Sequence, residues 1–144
     1  MMTSWAIRKA KLQDVPAILS LWQDADATPS VTDNVENLEK TIGHPTALVL
    51  LAEARDAIIG SVIGTFDGWR GNIYRLAVHP AYRRKGIARS LVLEAEDWMA
   101  QQGASRITAL VEREHPWATG FWDAQGYQRD HRMIRYVRTS HPKP

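Results

Sequence analysis

One stretch of the chain constrains its fold more than any other: an apolar run, a basic turn and a long amphipathic helix in direct succession. Residues 72–78 have the composition of a strand. From Gly86, apolar side chains recur at helical spacing through residue 102, and Gly103 then provides a stop. A second strand-like run follows over residues 106–111. This order predicts a β-α-β unit and places the chain in the α/β class.

Strand and helix signals alternate along the rest of the chain. Further strands are predicted over residues 5–10, 47–53, 57–66 and 132–138, and further helices over residues 14–22, 33–42 and 116–125. Asp14 and Asp33 are predicted to cap the first two helices, and a turn over residues 54–56 is predicted to join two strands in an antiparallel hairpin. We expect one domain over residues 1–139 and a disordered tail over residues 140–144. The domain has a mixed, mostly antiparallel sheet of about six to seven strands and about four helices.

Composition limits the class of protein. A chain of 144 residues can bury a core without covalent staples, and the absence of cysteine excludes disulfides and thiolate metal sites. The five histidines show no ligand spacing, so we expect no metal. No apolar run approaches the roughly 18 residues of a membrane span, and residues 1–11 lack the apolar centre of a secretory signal. These features predict a soluble, cytoplasmic protein that does not bind membranes.

The charges are nearly balanced overall but are unevenly distributed. The formal net charge is +2, from 18 Lys and Arg against 16 Asp and Glu, which does not favour a nucleic-acid-binding protein. Basic residues cluster at Arg83, Arg84, Lys85 and Arg89, and acidic residues gather at Asp24, Asp26, Asp33, Glu36 and Glu39. Two poles of opposite sign suggest two ligands or two faces, and solvated surface charge is the alternative interpretation.

The basic cluster lies at the predicted start of the long helix, where cations are unfavourable by about 0.3–1 kcal/mol each. No acid follows in that helix before Glu94. A bound anion would explain the arrangement, and Gly86 with the small Ala88 would let a phosphate approach the backbone. The standard phosphate loops, Gly-x-x-x-x-Gly-Lys-Ser/Thr and Gly-x-Gly-x-x-Gly after the first strand, are absent. The turn therefore predicts a pyrophosphate site of another kind, or else a solvated basic turn.

Residues 76–88, Leu-Ala-Val-His-Pro-Ala-Tyr-Arg-Arg-Lys-Gly-Ile-Ala, resemble the acyl-CoA-binding segment of the GNAT superfamily of N-acetyltransferases. The family pattern is Arg/Gln-x-x-Gly-x-Gly/Ala after a strand, and Arg83, Gly86 and Ala88 fill its fixed places. The resemblance implies acetyl-CoA as co-substrate, with its pyrophosphate on the amides of residues 84–89. It also implies a splayed central strand pair that admits the pantetheine arm. The implied cofactor-binding residues are Leu76, Ala77, Val78, Arg83, Arg84, Lys85, Gly86, Ile87, Ala88, Arg89, His115 and Trp122.

A second family landmark, Asn-x-x-Ala-x-x-Phe/Leu-Tyr-x-x-x-Gly-Phe/Tyr, is matched in part from His115 to Tyr127. His115 stands where Asn usually contacts the cofactor. Trp122 stands where many members have a Tyr that protonates the departing thiolate, and an indole N–H is no acid near neutral pH. The candidates for that acid are Tyr127, Tyr74, His115 and solvent. For Tyr127, packing at the helix end is the competing role.

The general base is predicted to be Asp67, acting through water, with Glu112 as the other acid near the site in the chain. The strand over residues 72–78 contains no acid, although several relatives carry a Glu there. Asp67 precedes Gly68 and has a competing role as a turn former.

The resemblance implies transfer of an acetyl group to a primary amine of a small molecule or peptide, by direct attack in a ternary complex. The fold family places the acceptor near Trp22, Asp24, Asp26, Asp33, Glu36, Trp69, Arg70 and Trp117. Acids beside indoles would suit a cationic amine, whereas core packing is the alternative for Trp22. A non-catalytic acyl-CoA-binding or sensing module is the second functional interpretation. A homodimer is left open.

Overall fold

The fold is taken from a computed structural model that describes residues 4–140. Its strands are β1 (Ala6–Lys9), β2 (Ala47–Ala54), β3 (Ala57–Phe66), β4 (Gly71–Val78) and β5 (Ile107–Ala109). Its helices are α1 (Val15–Asp24), α2 (Val35–Ile42), α3 (Ile87–Gln102) and α4 (Pro116–Ala124), with short 3-10 turns at Leu12–Asp14 and Pro80–Tyr82. The chain forms two units, Met1–Leu110 and Val111–Pro144.

The first unit is built on a mixed sheet in the order β1-β2-β3-β4-β5. The first three pairings are antiparallel, and β4 pairs with β5 in parallel. The predicted hairpin is confirmed, and both Arg55 and Asp56 at its turn adopt left-handed φ angles, 51° and 62°. Two consecutive left-handed residues match the twist of the flanking strands. The α3 connection between β4 and β5 confirms the predicted β-α-β unit.

Helices cover both faces of this sheet. On one face, α1 and α2 pack with β2, β3 and β4 around a core that includes Val15, Ile18, Leu21, Trp22, Leu38, Val49, Leu51, Ile63 and Ala77. On the other face, α3 lies close to β3 and β4 because two strand glycines leave room for it. A Cβ at Gly60 would lie 3.1 Å from Cγ2 of Ile87, and a Cβ at Gly71 would lie 2.5 Å from Sδ of Met99.

The prediction of six to seven strands is wrong, because the sheet has five strands. The missing strand is the one predicted over residues 132–138, which forms no ladder with another segment of residues 4–140. Its apolar side chains are exposed, with Ile134 at 77% and Tyr136 at 90%. An alternating run becomes a strand only where a neighbouring edge satisfies its backbone groups, and alternation alone does not supply that edge. Of the predicted tail, only Ser140 lies within the described residues.

The two predicted helix caps are corrected in detail. The Asp14 carboxylate does not cap α1. It accepts a hydrogen bond from the Lys11 N–H at 2.7 Å and forms an ion pair with Arg8 at 2.8 Å. At α2 the capping side chain belongs to Asn34, whose Oδ1 accepts from the Asn37 N–H at 2.9 Å. Among residues 4–140, no helix is both long and apolar enough to cross a bilayer.

Candidate functional site

The turn between β4 and α3 presents a row of unpaired backbone donors. The first backbone hydrogen bond of α3 runs from the Ser90 N–H to the Gly86 carbonyl, at 3.1 Å. Within residues 4–140, the N–H groups of residues 84–89 donate to no acceptor. Helix N-termini always leave such donors, and their aligned dipoles favour an anion. These unpaired amides belong to the same residues, 84–89, that the sequence predicts to cradle a pyrophosphate.

Two left-handed residues shape this turn. Arg84 has a φ of 63° and Gly86, the N-cap of α3, has a φ of 82°. Left-handed residues in a short turn direct successive N–H groups toward one side, which produces an anion-binding concavity. A Cβ on Gly86 would meet nothing within 4 Å, so the space beside it is open to a ligand.

The basic side chains of the turn divide into two groups. Arg84, Lys85 and Arg89 belong to exposed residues, and none of them forms an ion pair with an acid of the described chain. Arg83 instead directs its guanidinium inward, where Nε donates to the Val78 carbonyl at 3.2 Å and Nη2 to the Ala25 carbonyl at 3.4 Å. The three exposed cations can face an anion, while Arg83 fixes the turn against the end of β4.

The edge of β4 that faces β5 is paired over only part of its length. The parallel register runs from Gly71↔Ile107 to Ile73↔Ala109, and the Leu110 N–H donates to the Ile73 carbonyl at 3.3 Å. Beyond Ile73, this edge of β4 has no strand partner in the part of the chain that the structure describes. Leu76, Ala77 and Val78, which the sequence predicts to contact the coenzyme, lie on this unpaired portion.

Asp67 lies in the turn between β3 and β4, and one of its carboxylate oxygens is occupied there. Its Oδ1 accepts from the Arg70 N–H at 2.7 Å and from the Trp69 N–H at 2.8 Å. These bonds, that from Arg70 above all, hold the pKa of Asp67 below its usual range. The four strand steps from Gly71 to Arg75 add about 13 Å between this turn and the middle of β4. The placement favours the turn-forming role over that of a base.

The second unit contains His115, Trp122 and Tyr127. The His115 Nε2 accepts a hydrogen bond from the Trp117 indole at 3.3 Å, while its buried Nδ1 has no partner within the described chain. Trp122 is buried, and its ring meets that of Tyr127 edge to face with centroids 4.7 Å apart. Tyr127 also donates its backbone N–H to the Trp122 carbonyl, at 3.1 Å. These contacts agree with packing of Tyr127 at the end of α4.

The acidic pole predicted for the acceptor is partly neutralised. Asp33 forms an ion pair with Arg75, and Glu36 forms an exposed pair with Lys40 at 3.4 Å. Trp22 is a core residue, only 5% exposed, as the alternative interpretation held. Trp69 is 70% exposed, with the Arg70 guanidinium 4.0 Å from its ring centroid. Among residues 4–140, no group of three or more His, Asp or Glu side chains is arranged to hold a metal ion.

Sequence reasoning missed Arg75. The signal was present, because a charged residue interrupts the apolar alternation of β4, but that interruption does not reveal its partners. In the structure Arg75 has a left-handed φ of 53° at a bulge in β4, and its side chain reaches the segment between α1 and α2.

Comparisons with known proteins identify the family of the chain. The sequence model of the Acetyltransferase (GNAT) family matches residues 15–127. An acetyltransferase of Pectobacterium atrosepticum is 32% identical over 122 residues, which cover 85% of this chain and 86% of that protein. The structure is similar to the PaiA N-acetyltransferase of Thermoplasma acidophilum in complex with coenzyme A, with a TM-score of 0.79, 22% identity and coverage of 88% and 91% of the two chains. It is also similar to an aminoglycoside N-acetyltransferase in complex with CoA, with a TM-score of 0.77, 17% identity and coverage of 97% and 98%.

A β-α-β unit that presents unpaired amides and exposed cations at one helix start has a geometry that suits an anionic ligand. The match to the family model is more specific than this geometry: the chain belongs to the acetyltransferase (GNAT) family.

Proposed function

We propose that this protein transfers an acetyl group from acetyl-CoA to a primary amine of a small molecule or peptide. The observation that supports the proposal best is the row of N–H groups over residues 84–89, which have no acceptor in the described chain and lie among exposed cations. Family membership supports the acetyl transfer, and the aminoglycoside-acetylating relative supports a small-molecule amine.

The residues of the first unit fit acetyl-CoA by their chemistry. Peptide N–H groups at a helix start suit the pyrophosphate, and Arg84, Lys85 and Arg89 add positive charge. The unpaired edge of β4 offers backbone donors and acceptors to the amides of the pantetheine arm, in the manner of an added strand. We further propose that His115 and Trp122 contact the coenzyme.

The reaction is a direct attack within the ternary complex. The neutral amine nitrogen forms a bond to the carbonyl carbon of the thioester, and the bond from that carbon to sulfur breaks. The amine loses one proton, and the CoA thiolate takes up one. Holding the amine and the thioester together supplies most of the rate enhancement, because orientation alone contributes large effective concentrations.

The proton transfers require little from side chains. A thiolate is a tolerable leaving group, since thiols of this kind have a pKa of about 8.5, and solvent or Tyr127 would protonate it. We propose that Asp67 acts as a base only through water. We assign its main role to the turn.

A non-catalytic acyl-CoA-binding module is the second candidate. The observation that favours it is Trp122, an indole at the position where many family members carry the acidic Tyr. Turnover separates the two functions. We expect amines from a panel of aminoglycosides, small amines and peptides to accelerate release of free CoA thiol. Tight CoA binding without acceleration by any amine would support the binding module instead.

Gly86→Glu tests the coenzyme site itself. The new carboxylate would occupy the open space beside the amides and repel the pyrophosphate, so we expect CoA affinity in calorimetry to fall at least tenfold, about 1.4 kcal/mol. Gly103→Glu is the matched control, because Gly103 ends the same helix with a left-handed φ of 106° and also has open space at its Cβ. Equal CoA affinity in both variants would contradict the proposed site.

We also propose that the protein is cytoplasmic and that it forms a homodimer. Gel filtration with light scattering would test the dimer, and fractionation of the source cells would test the location.

A further inference from the structure

A bulge interrupts β4 in the middle of its unpaired edge. The register with β3 shifts between the pairs Ser61↔Ala77 and Ile63↔Tyr74. Arg75, within the bulge, has a left-handed φ of 53°. A residue other than glycine is uncommon in that conformation and persists where its surroundings determine it strongly. The conformation of Arg75 therefore depends on the contacts that hold its backbone and its side chain.

The backbone of the bulge is held by a buried hydroxyl. Ser61 is fully buried, and its Oγ donates to the Arg75 carbonyl at 3.0 Å. The same oxygen accepts a hydrogen bond from the Trp22 indole at 2.9 Å. The bulge is thereby connected to the last turns of α1 through one serine.

The side chain of Arg75 holds the segment between α1 and α2, residues 25–34, which we call the α1–α2 connection. Its Nη2 donates to the Asp33 carboxylate and to the Thr28 carbonyl, the latter at 3.0 Å. The same Asp33 carboxylate accepts from the Ser30 N–H at 3.0 Å. The guanidinium also lies 5.2 Å from the ring centroid of Trp22. One arginine thus ties the α1–α2 connection to the bulge.

This tie lies where the reacting end of the coenzyme is expected, a step that rests on the proposed function. A pyrophosphate at residues 84–89 places the start of the pantetheine arm at Val78. The arm can follow the unpaired edge of β4 only as far as Tyr74, because β5 occupies the edge from Ile73 onward. The thioester then lies beside the bulge, and the α1–α2 connection borders the space from which an amine approaches.

We infer that Arg75 is a positioning residue for the acceptor amine: it fixes the α1–α2 connection against the β4 bulge and so shapes the acceptor side of the site. Arg75 acts through the connection and does not contact the reacting atoms. Because the Oδ2 of Asp33 is bound both to Arg75 and to the Ser30 N–H, we assign Asp33 to this wall and not to the binding of a cationic acceptor.

The experiment compares Arg75→Met, Arg75→Lys and Asp33→Asn with Lys40→Met. The last variant is a matched control, since it also replaces a cation of an ion pair, here the exposed pair of Lys40 with Glu36 on α2. Three quantities are measured: the Kd of CoA, kcat and KM for the amine that the panel identifies, and hydrogen exchange of the amides in residues 28–34.

For Arg75→Met we expect kcat/KM for the amine to fall at least tenfold, mainly through KM, while the Kd of CoA changes less than twofold. Arg75→Lys should recover only part of the loss. It keeps the positive charge, but an ammonium group cannot hold a carbonyl and a carboxylate with the geometry of a guanidinium. Exchange over residues 28–34 should be at least tenfold faster in Arg75→Met and Asp33→Asn. Lys40→Met should stay within twofold of the parent protein in every measurement.

Several results would overturn the inference. One is an Arg75→Met protein whose kcat/KM for the amine stays within twofold of the parent. Another is a loss of CoA affinity as large as the loss in kcat/KM, which would assign Arg75 to the coenzyme. Unchanged hydrogen exchange over residues 28–34 would show that Arg75 does not hold the α1–α2 connection in place. If Arg75→Met fails to fold, Asp33→Asn is judged by the same thresholds. A parent protein that binds CoA but acetylates no amine would refute the proposed function and the acceptor role, while the exchange measurement would still decide whether the tie exists.

Discussion

The protein uses arginine in two contrasting ways along β4 and the turn that follows it. Arg84 in the turn before α3 and Arg89 in the first turn of that helix are exposed and have no acidic partner in the described chain. At the β4 bulge, Arg75 is held by Asp33, by the Thr28 carbonyl and over the Trp22 ring. A cation without a partner beside unpaired amides indicates a ligand site, whereas a cation with several partners indicates a structural or positioning role. Sequence alone shows both as basic residues.

The largest effect that follows from this contrast concerns the exposed cations. Replacing Arg84, Lys85 and Arg89 together by serine removes the charge that we propose attracts the pyrophosphate. We expect CoA affinity in calorimetry to fall about 50-fold, about 2.3 kcal/mol, and its dependence on salt to flatten. Stability should be unchanged or slightly higher, because cations at a helix start are unfavourable. A triple variant with parent-like affinity at low salt would show that these cations do not face the ligand.

Ser61→Ala tests the other region of the comparison, the β4 bulge that contains Arg75. It leaves the Trp22 indole and the Arg75 carbonyl without their buried hydroxyl partner, and unsatisfied buried groups cost about 1–3 kcal/mol. We expect the free energy of unfolding in urea to fall by about 2 kcal/mol, with CoA affinity nearly unchanged in the folded protein. Ser90→Ala, at a less buried serine of α3, is the control. A stable Ser61→Ala protein would mean that the bulge does not depend on this bridge.

The pH dependence of stability extends the comparison to another arginine, Arg8. The Arg8 guanidinium, hydrogen-bonded to Asp14, holds the pKa of that carboxyl below its usual range. A carboxylate with a lowered folded pKa stabilises the fold above its unfolded pKa and loses this contribution as pH falls through the folded value. The parent should therefore be more stable than Asp14→Asn at neutral pH. Their unfolding free energies should begin to approach each other below about pH 4 and should meet only below the lowered folded pKa of Asp14.

The matched control for that series is Asp123→Asn, which breaks the exposed Arg129 pair at 3.1 Å and should differ little from the parent at any pH. A constant difference between the parent and Asp14→Asn down to pH 2 would contradict the role given to Asp14.

The smallest effect is expected for Asp67→Asn. An asparagine oxygen can accept the same bonds from the Trp69 and Arg70 N–H groups, so the turn should persist and acetyl transfer should change less than threefold. The measurement is the rate of CoA thiol release over a range of pH. A general base contributes about 10²–10⁴-fold, so a loss of that size would restore Asp67 as the base.

The features predicted correctly from the sequence are those that depend on local pattern. The β-α-β unit, the glycine at each end of α3 and the basic turn follow from spacing and from the few residues that tolerate left-handed backbone. The strand predicted over residues 132–138 fails because a strand also needs a neighbouring edge, which is a non-local condition. The role of Arg75 could not be predicted for the same reason, since its partner Asp33 lies 42 residues away in the chain.

The central claim is that the amides of residues 84–89 bind the pyrophosphate of the coenzyme. The most direct measurement is backbone amide NMR of the labelled protein during titration with CoA and, separately, with pantetheine, which lacks the pyrophosphate. We predict that CoA shifts the resonances of residues 84–89 and slows their hydrogen exchange, and that pantetheine leaves them unchanged. Resonances of residues 84–89 that stay fixed while CoA binds elsewhere, or that respond equally to pantetheine, would contradict the claim.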